Sequence, residues 1–215
     1  MQHFPFLPSN KGDRRQRGES GATLVEFALV IPVVFFVFLA LLELALGFNS
    51  FVGVNRASQH AAHLASIAGN QVGADCLILS QIEEDIAAPT RRTSIIDVRI
   101  QRTSLAGNWA YQQQLYERDT SVAPWQCELP NGDPASLPYK ITENTYPETS
   151  RCTSLKGCPA MPPLGARSTV DNIAVGVKYR HDWLTPFPSI ITTLPGGTAG
   201  WTFVQRNIFR MEPTL

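Results

Sequence analysis

One long apolar run near the N-terminus constrains this chain more than any other feature. Residues 22–48 are almost all apolar, and the sixteen residues between Glu26 and Glu43 carry no charge. The step from Glu26 to Glu43 corresponds to about 26 Å of α-helix, close to the hydrocarbon thickness of a bilayer. The run therefore predicts a transmembrane helix that continues through Pro32, because lipid offers its backbone no better hydrogen bonds.

The charges around this run predict its orientation. Four basic residues precede it, and few charges follow it for a long stretch; the four are Lys11, Arg14, Arg15 and Arg17. Under the positive-inside rule, residues 1–21 form a cytoplasmic leader and residues 49–215 form an exported domain. The predicted location is the cell membrane, crossed once.

All four cysteines lie on the side predicted to be exported, and they are Cys76, Cys127, Cys152 and Cys158. An even number there fits an oxidising compartment and two disulfides, for which three pairings exist. The spacing argues against zinc, because the sequence has no C-x-x-C and only the last two cysteines are close together. We expect no metal and no cofactor.

The hydrophobic pattern predicts an α+β fold for residues 49–215. The helix continues to about Gly69, with an alanine stripe that packs on the domain or, alternatively, on another subunit; its members are Ala57, Ala61, Ala65 and Ala68. A second helix is predicted over 75–87, with a solvated acidic face made of Asp75, Glu83, Glu84 and Asp85. The long membrane-spanning helix and this short one should pack on an antiparallel sheet.

Alternation of apolar and polar residues predicts the strands of that sheet, over 93–102, 171–183 and 201–212. In the first strand the buried face is predicted to hold Ile96, Val98 and Ile100. Residues 104–120 fit either a strand or a short helix. Residues 122–167 are rich in Pro, Gly, Asn, Ser and Thr, and they are predicted to form a loop insertion stapled by disulfides.

A small residue followed by one glutamate marks the start of the apolar run. Three interpretations compete: a cleaved secretory signal, a plain signal anchor, and a class III signal cut on the cytoplasmic side. A secretory signal needs a shorter apolar core, of about 7–15 residues. A class III signal needs a small residue at the cut and an acidic residue soon after it, and Gly21, Ala22 and Glu26 meet these conditions.

The carboxylate of Glu26 requires an explanation, because an ionised group in or near a bilayer is costly. Cleavage after Gly21 creates a free amine on Ala22, one helical turn from Glu26. The carboxylate then pairs with its own N-terminus or with that of a neighbouring subunit, which offsets desolvation. The alternative is that Glu26 only marks the headgroup boundary.

The sequence carries no P-loop, dinucleotide fingerprint, zinc-protease or nucleophile-elbow motif. His181 beside Asp182 has no recognisable serine partner, so we expect a structural use for it. Basic and acidic residues both number 18, and no basic stripe follows the N-terminus, which argues against nucleic-acid binding. We therefore expect no enzyme; an anchored hydrolase with a site that no motif reveals is the least favoured alternative.

Three stretches resemble the TadE-like family, the pseudopilins of tight-adherence (Flp) pilus systems. In the first, GATLVEFALVIPVVFFVFLALLELALGF, Phe27 follows the glutamate and Glu43 closes the apolar run. The second is NRASQHAAHLASIAG, which resembles the alanine-rich stretch of that family. The third is the ending VGVKYRHDWLTPFPSIITTLPGGTAGWTFVQRNIFRMEP, which is similar to the final strand pair of long members.

This resemblance implies a function. It implies a minor pilin-like component of pilus assembly, cut after Gly21 by a prepilin-type peptidase. Its other partners would be the pilus or secretion machinery and further pilin-like subunits. Phe27 stands where many pilin-like proteins have Tyr, which fits TadE-like members. The alternative is an uncleaved, single-pass anchored extracellular binding module whose Pro-rich loop recognises a ligand.

Overall fold

The structure is a computed structural model of the chain. It describes residues 16–86, 90–104, 109–155, 158, 170–184 and 200–212, with the backbone alone for 16–20 and 109–111. The chain divides into two compact units, Met1–Leu44 and Ala45–Leu215. We call these the N-terminal unit and the C-terminal unit, and we describe each by itself.

The N-terminal unit consists, in its described residues, of the first part of helix α1, which spans Gln16–Ala68. The helix is continuous through Pro32, as the sequence predicts for lipid surroundings. Its most apolar 18-residue window has a mean hydropathy of 2.8, and only 6% of that window is buried. By length and composition this is a helix fit to cross a membrane.

The C-terminal unit is α+β, as predicted. Its short helix, α2, spans Ala74–Asp85. The strands of the main sheet are β1 (Ile95–Thr103), β2 (Trp109–Arg118), β5 (Tyr139–Asn144), β6 (Asn172–Asp182) and β7 (Gly200–Arg210). Among the described residues their order is β5-β2-β1-β6-β7, and every pairing is antiparallel. A separate hairpin joins β3 (Trp125–Glu128) to β4 (Pro134–Leu137).

The alanine stripe of α1 packs inside the C-terminal unit, which confirms the first of its two predicted roles. Ala57, Ala61 and Ala65 are fully buried. They lie on one helix face because residues four apart share a face. Side chains of β1 and β6 pack against the helices. The core side chains of β6 lie at alternate positions, as predicted, and they are Ile173, Val175, Val177 and Tyr179.

One predicted core residue in β1 was wrong. Ile95 is 3% exposed and lies in the core, whereas Ile96 is only half-buried. The register between β1 and β6 is irregular between Ile95 and Asp97. A bulge inserts one extra residue into a strand, so it moves the side chain before it to the other face.

The segment predicted to be a loop insertion contains three short strands. Strands β3 and β4 form a hairpin whose turn closes when Gly132 donates to the Leu129 carbonyl at 2.9 Å. Gly132 has φ 88°, a conformation that a side chain disfavours. Strand β5 pairs with β2 at the edge of the main sheet. For residues 104–120 the sequence fitted either a strand or a short helix, and the structure has a strand there, β2.

The four cysteines lie at disulfide distance in two pairs. Cys76 of α2 pairs with Cys127 of β3, with 5.9 Å between their Cα atoms. Cys152 pairs with Cys158, with 4.2 Å between their Cα atoms. The structure thus selects one of the three pairings that the sequence left open. The first bond attaches the β3–β4 hairpin to α2.

The two disulfides should stabilise the fold unequally. Chain-entropy arguments give about 4 kcal/mol for Cys76–Cys127, which closes a separation of 51 residues, and about 2 kcal/mol for Cys152–Cys158, which closes one of 6. We expect the double serine variant of the first pair to lose more unfolding free energy than that of the second. Urea denaturation of the full chain in detergent measures both, and equal losses would contradict the assignment.

Candidate processing site and polar cluster

The four residues predicted to direct processing lie near the start of α1. Gly21, Ala22, Glu26 and Phe27 are all helical and all exposed, and Phe27 is 64% exposed. Ala22 and Glu26 are four residues apart, so their side chains share a face one turn apart. A Cβ placed on Gly21 would have no neighbouring atom within 4 Å. Among the described residues, nothing outside the neighbouring helix backbone therefore covers the Gly21 position.

Glycine also weakens the helix at this bond. Gly18 and Gly21 both lie in α1, and each costs a helix about 1 kcal/mol relative to alanine. The two glycines reduce the free energy needed to unwind α1 there.

The second group of interest is a buried polar cluster in the C-terminal unit, made of Asp75, Tyr116, Glu148 and Arg151. Asp75 is 2% exposed and forms an ion pair with Arg151, which is fully buried. The Tyr116 hydroxyl donates to Asp75 Oδ2 at 2.7 Å. We call this group the Asp75 cluster.

Glu148 caps helix α2 from a distant part of the chain. The backbone N–H groups of Gly73 and Asp75 donate to its carboxylate at 2.9 and 2.6 Å. These are among the N–H groups that a helix leaves without partners at its start, where an anion is also favoured by the helix dipole. Gly73 has φ 85°, and a Cβ there would collide with the Glu128 carbonyl oxygen, so only glycine fits.

The protonation of this cluster follows from its burial. Burial and the neighbouring Asp75 carboxylate raise the pKa of the Tyr116 hydroxyl, which therefore stays protonated and donates to Asp75. Burial and the same carboxylate also raise the pKa of Glu148. Among these four residues Arg151 is the one cation, and it pairs with Asp75.

A second carboxylate, that of Asp171, connects residues 146–152 to the sheet. Arg102 of β1 pairs with Asp171 Oδ1 at 2.8 Å. The Tyr146 hydroxyl and the Cys152 N–H both donate to Asp171 Oδ2 at 2.9 Å. The Tyr146 ring also lies 5.4 Å from the guanidinium carbon of Arg151. Residues 146–152 are therefore held by both carboxylates.

The prediction of a solvated acidic face on α2 was wrong for Asp75, which is buried. Glu83 also has partners, because it pairs with Arg118 and accepts from the Tyr139 hydroxyl at 2.7 Å. Only Glu84 of the four is exposed. The partners of these carboxylates come from distant strands, so helical periodicity gave no signal of them.

The histidine beside an acid has structural surroundings. His181 is 5% exposed, and its Nδ1 lies 3.2 Å from the Ser50 hydroxyl oxygen. The cavity beside this pair has a volume of about 10 Å³, which leaves no room for a substrate. Asp182 pairs instead with Arg180 at 2.8 Å. Within the described residues, no three His, Cys, Asp or Glu side chains form a group able to hold a metal ion.

Removing the cation of the Asp75 cluster should destabilise the C-terminal unit strongly. Arg151→Met keeps much of the side-chain volume but leaves the Asp75 carboxylate buried without its partner, a loss of about 3–5 kcal/mol. Arg99→Met is the matched control, because Arg99 is half-exposed in its pair with Asp97 and should cost about 1 kcal/mol or less. Urea denaturation followed by near-ultraviolet circular dichroism compares them. Equal losses would refute a central role for Arg151.

Comparison with known proteins finds a family model that matches the start of the chain. Residues 21–63, about a fifth of the chain, match the model of the TadE-like protein family. No curated protein and no solved structure matches the chain. The matched segment begins at Gly21 and covers the apolar run and part of the alanine stripe. This match confirms the resemblance seen in the sequence: residues 21–63 are similar to the TadE-like protein family, which is associated with pilus systems.

Proposed function

We propose that this protein is a minor pilin-like structural component, a pseudopilin, of a tight-adherence (Flp) pilus system. The N-terminal part of α1 anchors it in the cell membrane, with residues 1–21 in the cytoplasm and the C-terminal unit exported. A prepilin-type peptidase cuts after Gly21. The observation that carries this proposal is the TadE-like match, which starts at Gly21 and includes Glu26 in an otherwise uncharged stretch of helix.

Three features support the anchored, exported arrangement. The apolar side chains of the N-terminal unit are exposed around the helix, so they need lipid or other helices as surroundings. The basic residues all precede Gly21 in this part of the chain, which favours a cytoplasmic N-terminus. Two cysteine pairs at disulfide distance in the C-terminal unit agree with an oxidising compartment.

Glu26 supplies the assembly mechanism. After cleavage, the new amine of Ala22 lies one turn from the Glu26 carboxylate on the same helix face. A lone carboxylate near lipid is costly, so it gains a large free energy by pairing with its own amine or with that of an adjacent subunit. Pairing between subunits favours side-by-side packing of these helices and fixes the offset between them along the helix axis.

The C-terminal unit supports a structural role. The described part of this unit holds its segments together with buried carboxylate clusters and disulfide pairs, and the buried Ser50–His181 pair has no space for a substrate beside it. The family it resembles is structural. A pilus or secretion machine and other pilin-like subunits are the partners that follow.

Determining the N-terminus tests the processing step against the uncleaved binding module. We expect intact mass and N-terminal sequencing of the membrane-extracted protein, made together with the prepilin-type peptidase of its host, to give a chain that begins at Ala22. Gly21→Leu should block the cut, because it places a large side chain at the cleavage position. Val30→Leu, at an exposed position deeper in the same helix, is the control and should be cut normally. An intact Met1, or a cut beyond Gly47, would overturn this proposal.

The charge at Glu26 is tested separately from cleavage. Glu26→Gln should still be cut after Gly21 but should co-purify with other pilin-like subunits roughly tenfold less or worse, since a charge pair worth several kcal/mol is lost. Glu26→Asp keeps the charge and should retain most of the association. Quantitative immunoblotting of the co-purified subunits measures the ratio. Equal recovery of the Gln and Asp variants would refute the pairing mechanism.

A further inference from the structure

Strand β7 runs beside helix α1 in the C-terminal unit. Near the start of the strand, a Cβ placed on Gly47 would lie 3.5 Å from the Trp201 ring. Near its end, the rings of His63 and Phe209 are 5.7 Å apart. The two contacts are about 24 Å apart along the helix and about 27 Å apart along the strand, so the two elements keep in step. Trp201 therefore marks one end of this packing and Phe209 marks the other.

Trp201 lies beside the part of α1 where the apolar run ends. Gly47 lies in the last turn of the run, four residues past Glu43, or about 6 Å along the helix. A headgroup layer adds about 5–8 Å to each side of the hydrocarbon core of a bilayer. Trp201 is 42% exposed, and Phe48, the next residue of α1 after Gly47, is 65% exposed. A bilayer around the apolar run thus has one of its two interfaces beside Trp201.

Further apolar side chains surround Trp201 at this end of the sheet. His181 of β6 is its partner in the β6–β7 ladder, and the rings of His181 and Trp183 lie 6.3 Å apart. Trp183 is half-buried and Leu184 is 48% exposed. We call Trp183, Leu184 and Trp201 the tryptophan patch. Indole rings are enriched at membrane interfaces, because one part of the ring is apolar and its N–H needs a polar partner.

The charges beside the tryptophan patch favour an anionic surface. Arg91 is exposed and lines the same small cavity as Leu184. Its backbone N–H donates to the Tyr179 hydroxyl at 3.0 Å, which holds this part of the chain against β6. Arg180 and Asp182 pair with each other at 2.8 Å, so their charges offset each other. Guanidinium groups bind phosphate through two parallel hydrogen bonds.

We propose that the tryptophan patch rests on the surface of the membrane that α1 crosses. The two indole rings lie among the headgroups and the upper acyl chains, and Arg91 contacts lipid phosphates. The contact gives the C-terminal unit a second attachment to the bilayer, which fixes its orientation there. It rests on the membrane anchor of the proposed function and depends on neither the cut after Gly21 nor a pilus.

Brominated lipids test this contact, because all four tryptophans lie outside the apolar run. Bromine on the acyl chains quenches an indole ring only at close range. The full chain is placed in nanodiscs of dibrominated phosphatidylcholine and phosphatidylglycerol. We expect part of the tryptophan emission to be quenched, and Trp201→Phe should remove about half of that part, since the patch holds two rings. Trp183→Phe is an independent second variant with the same expectation.

Trp125→Phe is the matched control, because Trp125 packs on Tyr116 beside the start of α2, away from the patch. It should leave the quenched part of the emission unchanged. Emission that the brominated lipids do not reduce would overturn the contact and leave another subunit as the occupant of the patch. Equal quenching in the Trp201→Phe and Trp125→Phe variants would overturn it as well.

A charge variant tests the contact with lipid phosphates. Arg91→Gln should lower the ratio of quenched to unquenched protein about fivefold, the factor that one arginine near an anionic surface contributes. Arg210→Gln makes the same change at the far end of β7, where the side chain is 58% exposed, and should leave the ratio unchanged. Equal ratios would refute the role of Arg91. A chain that does not enter the discs would overturn the anchor itself, whereas one that enters without quenching overturns only this contact.

Discussion

The rest of this structure depends on a single helix that has to satisfy two different surroundings. In its N-terminal unit α1 exposes apolar side chains around the helix, which only lipid or other helices can cover. From Ala45 onward the same helix buries an alanine stripe against a β-sheet. A helix can do both because its backbone hydrogen bonds are internal, so only the side chains need to match the surroundings. The change in side chains near Glu43 is therefore the main division of the chain.

Within the C-terminal unit, buried carboxylates connect segments that are distant in the sequence. Asp75 joins the start of α2 to Arg151, and Asp171 joins the strands to Tyr146 and Cys152. Buried ion pairs often contribute little net stability, but breaking one is costly because a charge is left without a partner. Such pairs therefore disfavour alternative packings of the Pro-rich segment, whose backbone has little intrinsic preference for regular structure.

Much of the fold followed from sequence periodicity, and the exceptions have local causes. The strands β6 and β7 and both helices lie where alternation or helical spacing predicts them, although β7 has no fully buried residue and its Trp201 is 42% exposed. Ile95 replaces Ile96 in the core since a bulge breaks the alternation. Strands β3 to β5 lie within 122–167, where Pro and Gly weakened every pattern. Asp75 belonged to a helix face that looked solvated, because its partners Tyr116 and Arg151 are far away in the sequence.

The sequence by itself determined the anchor and the candidate cut, since apolar length, flanking charge and the spacing from Gly21 to Glu26 are local properties of one helix. It also determined the TadE-like character of residues 21–63. Only the tertiary structure decided which cysteines pair and which carboxylates are buried. The buried charge of Asp75 meets Arg151 from 76 positions away, and no local pattern encodes which distant partner a buried charge will find.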